Sequence, residues 1–281
     1  MEDVRELNSS VDQVESGEVS QPQRVPIAAP RRRPHELTGK TYGWPSRLRS
    51  YLILDPLIWL YTLILGPLGL IAGFFDRDGS VMHGFARAWS WLIVKTLFSP
   101  VKVTGFEKID TSKPHVYAVN HASALDIPLL YVYLPFHFKI AFKKELLAYP
   151  VVGWHLKQSG QICIDQQNPS RSISSIRAGL KGLKHGLPLV IFPEGGRTPD
   201  GDIKPFLSGA FFLAIKAQVD IVPLALVGTY ELLPMNTSHI KCRPLEMRFG
   251  EPISTEGLTL RDMEALSARV QKEMESLYYR D

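Results

Sequence analysis

At 281 residues the chain can bury a sizeable core, and a formal net charge of +4 is too small to signify nucleic acid as its partner. Two cysteines, Cys163 and Cys242, exclude a disulfide scaffold and fit a reducing compartment in which each packs as a small hydrophobe. Charge is unevenly spread: residues 1–20 hold six acids and one arginine, whereas Arg31, Arg32, Arg33, Lys40, Arg47 and Arg49 precede an uncharged run. Basic charge beside apolar sequence marks an anionic membrane surface.

Residues 1–45 are polar and proline-containing and read as a disordered tail. The apolar run begins too late for a signal peptide and lacks a small-residue cleavage site. Residues 46–99 read as a membrane-associated helical segment. Within it, Pro56–Phe75 is 20 residues without a charge, long enough to span a bilayer. Gly66, Pro67, Gly69 and Gly73 interrupt it, so a helix–break–helix dipping into one leaflet is an equal reading. Phe85–Phe98 adds Trp89 and Trp91 beside Arg87 and Lys95, a composition suited to the bilayer interface. A pair of core helices in a soluble protein is the competing interpretation. If the segment spans, the positive-inside rule puts the arginines in the cytoplasm.

Residues 100–281 change pattern. Short apolar runs predict strands at His115–Val119, Phe138–Phe142, Gln161–Asp165, Leu187–Phe192, Ile221–Val227 and Leu245–Phe249. Helical patterns fall between or after them at Ile127–Tyr133, Glu145–Gln158, Arg171–His185, Ser208–Gln218 and Leu260–Tyr279. Gly186 stands where a helix C-terminal glycine belongs. Strands alternating with helices predict an α/β fold: a largely parallel sheet flanked by helices, preceded by the N-terminal apolar helical membrane-binding element.

Chemistry concentrates after two of the strands, where ligands sit in such sheets. Asn120-His121 and Asp126 follow the first. Five residues advance a helix by about 140° beyond a full turn, so one continuous helix cannot bring His121 and Asp126 together. They meet only if His121 lies in the loop and Asp126 reaches back from the next helix. Asp126 then fixes the imidazole tautomer, and the other nitrogen is free to take a proton. Phe192-Pro193-Glu194-Gly195-Gly196-Arg197-Thr198 follows the other strand. Its glycines allow close backbone approach, and Arg197 can grip phosphate bidentately. A structural histidine and a glycine turn with a surface ion pair are the bland readings of the two motifs taken singly.

Taken together and in order, the motifs resemble those of the glycerolipid acyltransferase family, which includes 1-acylglycerol-3-phosphate acyltransferases. Asn120-His121 with Asp126 is the first block. Lys143 to Leu146, Pro150, Gly153 and Gly160 to Asp165 resemble the second, Phe192 to Thr198 the third, and Ile221-Val222-Pro223-Leu224 the fourth. The resemblance implies that His121 is the general base and that Asp126 orients it. Lys143 is the oxyanion candidate, with Lys144 still open. Arg197, Gly195 and Gly196 would bind the acceptor phosphate, with Glu194 supporting that loop. Pro223 would shape the strand near the acyl pocket. Two positions depart from the family pattern. Gln166 stands where the family usually has a phosphate-binding arginine, for which Arg171 is a possible substitute, and Gly196 replaces a threonine.

The activity so implied is a membrane-associated O-acyltransferase of phospholipid synthesis. It moves a fatty acyl group from acyl-CoA or acyl carrier protein to the hydroxyl of a lyso-phospholipid, foremost 1-acylglycerol-3-phosphate. A thioester is already activated, so one base and one oxyanion stabiliser suffice, without a nucleophilic serine or cysteine, a metal or a cofactor. Cys163 alternates with apolar neighbours in a strand pattern, which argues against an acyl-cysteine. His137, His155 and His185 do not make a ligand spacing with His121. Expected partners are membrane lipids, the acyl donor and the acceptor. The expected location is the cytoplasmic face of a membrane, the bacterial inner membrane or its equivalent. Another lyso-lipid acceptor, motivated by Gln166, and a non-catalytic lipid-binding module are the alternatives.

Overall fold

The computed structural model describes residues 42–76, 78–165 and 173–280. Most of the 1–45 tail, together with Gln166 and Arg171, lies outside the described residues.

The described chain opens on one continuous helix, α1 (Trp44–Gly73, 30 residues), long and apolar enough to cross a membrane. Pro45 sits in its first turn, where its missing N–H breaks no bond. A π turn, Ser50–Leu54, is built into it. Pro67 lies inside the helix without ending it. The glycines read as interruptions instead form a contact face. Gly66, Gly69 and Gly73 recur at helical spacing. A Cβ on Gly66 would lie 2.7 Å from Val151 Cγ1, one on Gly69 3.3 Å from Phe85 Cβ, and one on Gly73 2.7 Å from Met82 Sδ. Small residues therefore let α1 lie close against α2 (Ser80–Thr96) and against the segment around Val151. Two bonds fix the antiparallel pairing: Tyr61 Oη meets Thr96 Oγ1 at 3.1 Å, and Trp89 Nε1 donates to Thr62 Oγ1 at 3.0 Å. Elsewhere on α1, Trp59, Leu60, Leu63 and Ile71 are exposed, as are Phe74 and Phe75 just beyond it.

Gly66→Leu should test this packing. It drives a branched side chain into Val151, and overpacking of this kind costs about 1–3 kcal/mol. The melting temperature of the full chain should fall by about 2–4 °C for each kcal/mol. An unchanged melt would show that α1 is not held at this point.

A seven-stranded sheet follows, in the order β1-β7-β6-β2-β5-β3-β4. The strands are β1 (Val101–Thr104), β2 (Val116–Val119), β3 (Lys139–Lys143), β4 (Ile162–Ile164), β5 (Leu189–Ile191), β6 (Ile221–Val227) and β7 (Leu245–Phe249). All pairings are parallel except β6 with β7. β1 has no counterpart among the predicted strands. It is a four-residue edge strand with exposed positions and a lysine, so it lacks the apolar run by which strands are recognised. β2, by contrast, is buried at every position, as a central strand covered on both faces must be.

The two faces carry separate cores. Tyr117 and Val119 pack with Ile93 of α2, with Leu97 just beyond its end, and with Leu129 and Leu130 of α3 (Asp126–Tyr133). Val116 and Ala118 pack with Leu183 of α5 (Ile173–Lys184), Leu213 of α6 (Phe212–Ala217), and Val270 and Met274 of α8 (Met263–Tyr278). Each large apolar side chain so buried contributes about 1.5–3 kcal/mol of transfer free energy. The helix expected over Glu145–Gln158 is divided. A 3₁₀ turn at Lys144–Ala148 precedes α4 (Val152–Gln158), because Pro150 and Val151, at φ 64°, interrupt the helical backbone. Gly186, at φ 84°, ends α5 as its left-handed cap.

Candidate active site

The site assembles beyond the carboxyl ends of β2, β3 and β5. Asn120, buried, closes β2 by pairing both ways with the β6 backbone. Its Nδ2 donates to Leu226 O at 3.1 Å, and its Oδ1 accepts the Leu226 N–H at 2.7 Å. This clamp fixes where the next residue, His121, leaves the sheet.

His121 lies in the loop and Asp126 is the first residue of α3, so the aspartate reaches back as the spacing requires. His121 Nδ1 stands 2.8 Å from Asp126 Oδ2, and that same oxygen accepts the Ala122 and Ser123 N–H groups at 2.8 Å each. Asp126 is fully buried. Two backbone donors at the N-terminus of α3 fix the position of that oxygen. An oxygen that accepts from backbone amides also accepts from the ring, so Nδ1 carries the hydrogen and Nε2 holds the lone pair. The imidazole is further held by stacking on Phe192, with ring centroids 4.1 Å apart and planes 25° from parallel.

The second motif is tied directly to the first. Glu194 Oε1 accepts the His121 N–H at 2.7 Å, and the Thr198 N–H donates to His121 O at 2.9 Å. Glu194 Oε2 accepts the Lys204 N–H at 3.0 Å. Glu194, buried with both oxygens on backbone amides, braces the loop. Gly195 makes the loop's turn at φ 68°, a conformation that costs glycine little. Arg197 is exposed at the rim.

Lys143 and Lys144, adjacent in the chain, are put to different uses. Lys144 Nζ pairs with Asp165 Oδ2 at 3.0 Å. Lys143 ends β3 and turns to the glycine loop, where a Cβ on Gly196 would lie 3.3 Å from its Nζ. The same probe position lies 4.0 Å from the Nζ of Lys204, a residue no sequence motif singled out. Lys204 Nζ also donates to Arg197 O at 3.3 Å. Desolvation pushes the Lys204 ammonium below its ordinary range, Glu194 draws it back, and Lys143 adds to the depression. Two ammonium groups beside one glycine loop, with both Glu194 oxygens engaged by backbone amides, concentrate positive charge where an anion could bind.

Residues 100–227 match the family model described as Acyltransferase. The matched segment is similar to an acyltransferase domain. It contains His121, Asp126, Lys143 and the Glu194–Arg197 loop. Curated relatives agree. The chain is 32% identical over 203 residues to a chloroplastic 1-acyl-sn-glycerol-3-phosphate acyltransferase of Brassica napus, covering 69% of this chain and 58% of that protein. It is 31% identical over 192 residues to a 1-acyl-sn-glycerol-3-phosphate acyltransferase of Saccharomyces cerevisiae, covering 67% and 63%. The chain thus spans less than two thirds of the length of either relative. Its fold matches the crystal structure of the 1-acyl-sn-glycerophosphate acyltransferase PlsC from Thermotoga maritima at TM-score 0.67 and 24% identity, covering 83% of this chain and 96% of that one.

The brace inside the matched segment should report on pH. Burial pushes Glu194 from 4.5 to about 7, against the pull of its two amide donors and Lys204. Between those values the folded chain holds a proton that the unfolded chain has released. This group's contribution to stability is therefore full below about 4.5 and is lost as pH rises to about 7. Glu194→Gln removes that titration. The melting temperature of the wild type relative to the variant should fall as pH rises through this window. A pH-independent difference would contradict it.

Proposed function

We propose that the chain is a membrane-associated O-acyltransferase that transfers a fatty acyl group from an acyl-CoA or acyl carrier protein thioester to the free hydroxyl of 1-acylglycerol-3-phosphate. The observation that carries this reading is the 2.8 Å His121–Asp126 contact standing beside a loop flanked by Lys143 and Lys204. The printed names of the curated relatives support the same acceptor.

The chemistry follows from the tautomer. The acceptor hydroxyl donates its proton to His121 Nε2 as its oxygen attacks the thioester carbonyl carbon, forming a C–O bond and a tetrahedral oxyanion. The Lys143 ammonium stabilises that developing charge. The oxyanion collapses, the C–S bond breaks, and the thiolate leaves with the proton held by His121. Asp126 stabilises the transient imidazolium. Arg197 and Lys204 hold the acceptor phosphate, which sets the hydroxyl against Nε2 and removes an entropic barrier to encounter.

Attachment to a leaflet follows from α1. Its small-residue face is occupied by the rest of the molecule, and aromatic and aliphatic side chains remain exposed on it and on the turns around Tyr149 and Trp154. Such a surface is satisfied by lipid.

Gln166, in place of the family's usual arginine, favours a second reading in which the acceptor is a different lyso-lipid. Mass spectrometry of products from membranes, mixed acyl thioesters and a panel of lyso-lipids tests both. Acylated lysophosphatidate as the main product supports the first. A different acylated lyso-lipid supports the second, and no acylated lipid sinks both. With lysophosphatidate, Lys204→Ala should raise KM about tenfold or more, the size of one charge-assisted hydrogen bond, with a smaller effect on kcat. An unchanged KM would remove Lys204 from the phosphate site.

A further inference from the structure

We propose a second anion site, separate from the active site, that binds the phosphate-bearing headgroup of an anionic membrane lipid. A cavity of about 410 Å³ opens where the start of α1 meets the loop between α7 (Thr229–Leu232) and β7. Tyr42, Arg47, Tyr51, Thr237, His239 and Lys241 line it. Among the described residues, the lining holds a guanidinium and an ammonium and no carboxylate. Arg49 lies near enough to add to the positive field at His239. None of these residues belongs to the acyl-transfer site.

The walls are held by specific bonds. Ser50, fully buried, donates to Ser238 O at 3.1 Å and accepts the Ile240 N–H at 2.8 Å. Ser46 Oγ meets His239 Nε2 at 3.0 Å, and the Tyr42 hydroxyl donates to Cys242 O at 3.2 Å. Ser50 also opens the π turn of α1, between the two α1 residues, Arg47 and Tyr51, that face the cavity. Turns of this kind recur at functional sites because they re-aim side chains locally.

Size and surroundings decide the class of anion. The volume is many times the roughly 30 Å³ share of one water, room for a headgroup as well as its phosphate. Leu48, Leu52 and Ile53 lie exposed along the adjoining turns of α1 and offer acyl chains an apolar path. An amphiphile uses both the cations and this path, whereas a free phosphate uses only the cations. The guanidinium fork of Arg47 suits a phosphate better than a point charge would.

The test uses the full chain with mixed micelles of phosphatidylglycerol or phosphatidylcholine, and counts retained lipid by native mass spectrometry. The wild type should retain phosphatidylglycerol preferentially. Arg47→Lys keeps the charge and loses the fork, while Thr237→Phe keeps the charge and fills the cavity. Each should reduce retention about tenfold, the size of a lost charge-assisted bond, with unchanged circular dichroism. Arg49→Gln, which removes a charge outside the cavity lining, should reduce retention less than either. Wild-type retention in both Arg47→Lys and Thr237→Phe would overturn the site in favour of general surface electrostatics. Equal displacement by inorganic phosphate at the lipid's concentration would overturn the assignment to a lipid.

Discussion

His121→Ala should lower acyl transfer by about 10³–10⁴-fold and leave the fold intact, because a positioned general base contributes about 10²–10⁴ and in the proposed mechanism the same ring also serves as the acid that releases the thiolate. The tie between the two motifs survives the change: the His121 N–H to Glu194 and the His121 O to Thr198 are main-chain bonds that alanine retains. Truncation removes the stacking on Phe192 and frees one donor contact on Asp126, a modest structural cost. Purified variant and wild type are compared by thioester consumption and by circular dichroism. Undiminished turnover in a folded variant would remove His121 from the mechanism.

Asp126→Asn is expected to lower kcat by about 10²–10⁴-fold with a smaller change in KM, since a neutral amide cannot stabilise the imidazolium as the carboxylate does and the residue does not touch substrate in the proposed mechanism. The arrangement around the carboxylate makes this variant informative. Oδ2 takes all three donors, while Oδ1 is buried with no hydrogen-bond partner among the described residues. An asparagine can place its oxygen at the Oδ2 position and keep those contacts. Its amide nitrogen then sits where Oδ1 was, a buried donor with no acceptor, at a cost of about 1–3 kcal/mol. A kinetic loss accompanied by that modest destabilisation fits the orienting role. A variant that unfolds while turnover per folded molecule stays normal would make Asp126 purely structural.

Much of this arrangement was legible before any coordinates. The central strands announce themselves because strands covered on both faces must be apolar throughout, as Ile221–Val227 is. The His121–Asp126 geometry was legible because a five-residue spacing forbids a shared helix face and leaves only a loop-to-helix contact. What stayed hidden depends on tertiary approach. Gly66, Gly69 and Gly73 read as helix interruptions until Val151, Phe85 and Met82 stand against them. Lys204 looks like an ordinary loop lysine until the chain returns it to Gly196. Lys143 and Lys144 cannot be told apart by composition, and Asp165, 3.0 Å from Lys144 Nζ, separates them. β1 escaped notice because an exposed edge strand need not be apolar.

The most direct measurement of the central claim compares kcat/KM for lysophosphatidate with that for the same lipid lacking its phosphate. If one site joins the His121 base to the Arg197 and Lys204 cations, the phosphorylated acceptor is preferred by about 10²-fold or more, the sum of two charge-assisted contacts. Equal specificity constants for the two acceptors would contradict the account, because the base would then work on an alcohol that the cationic loop does not hold.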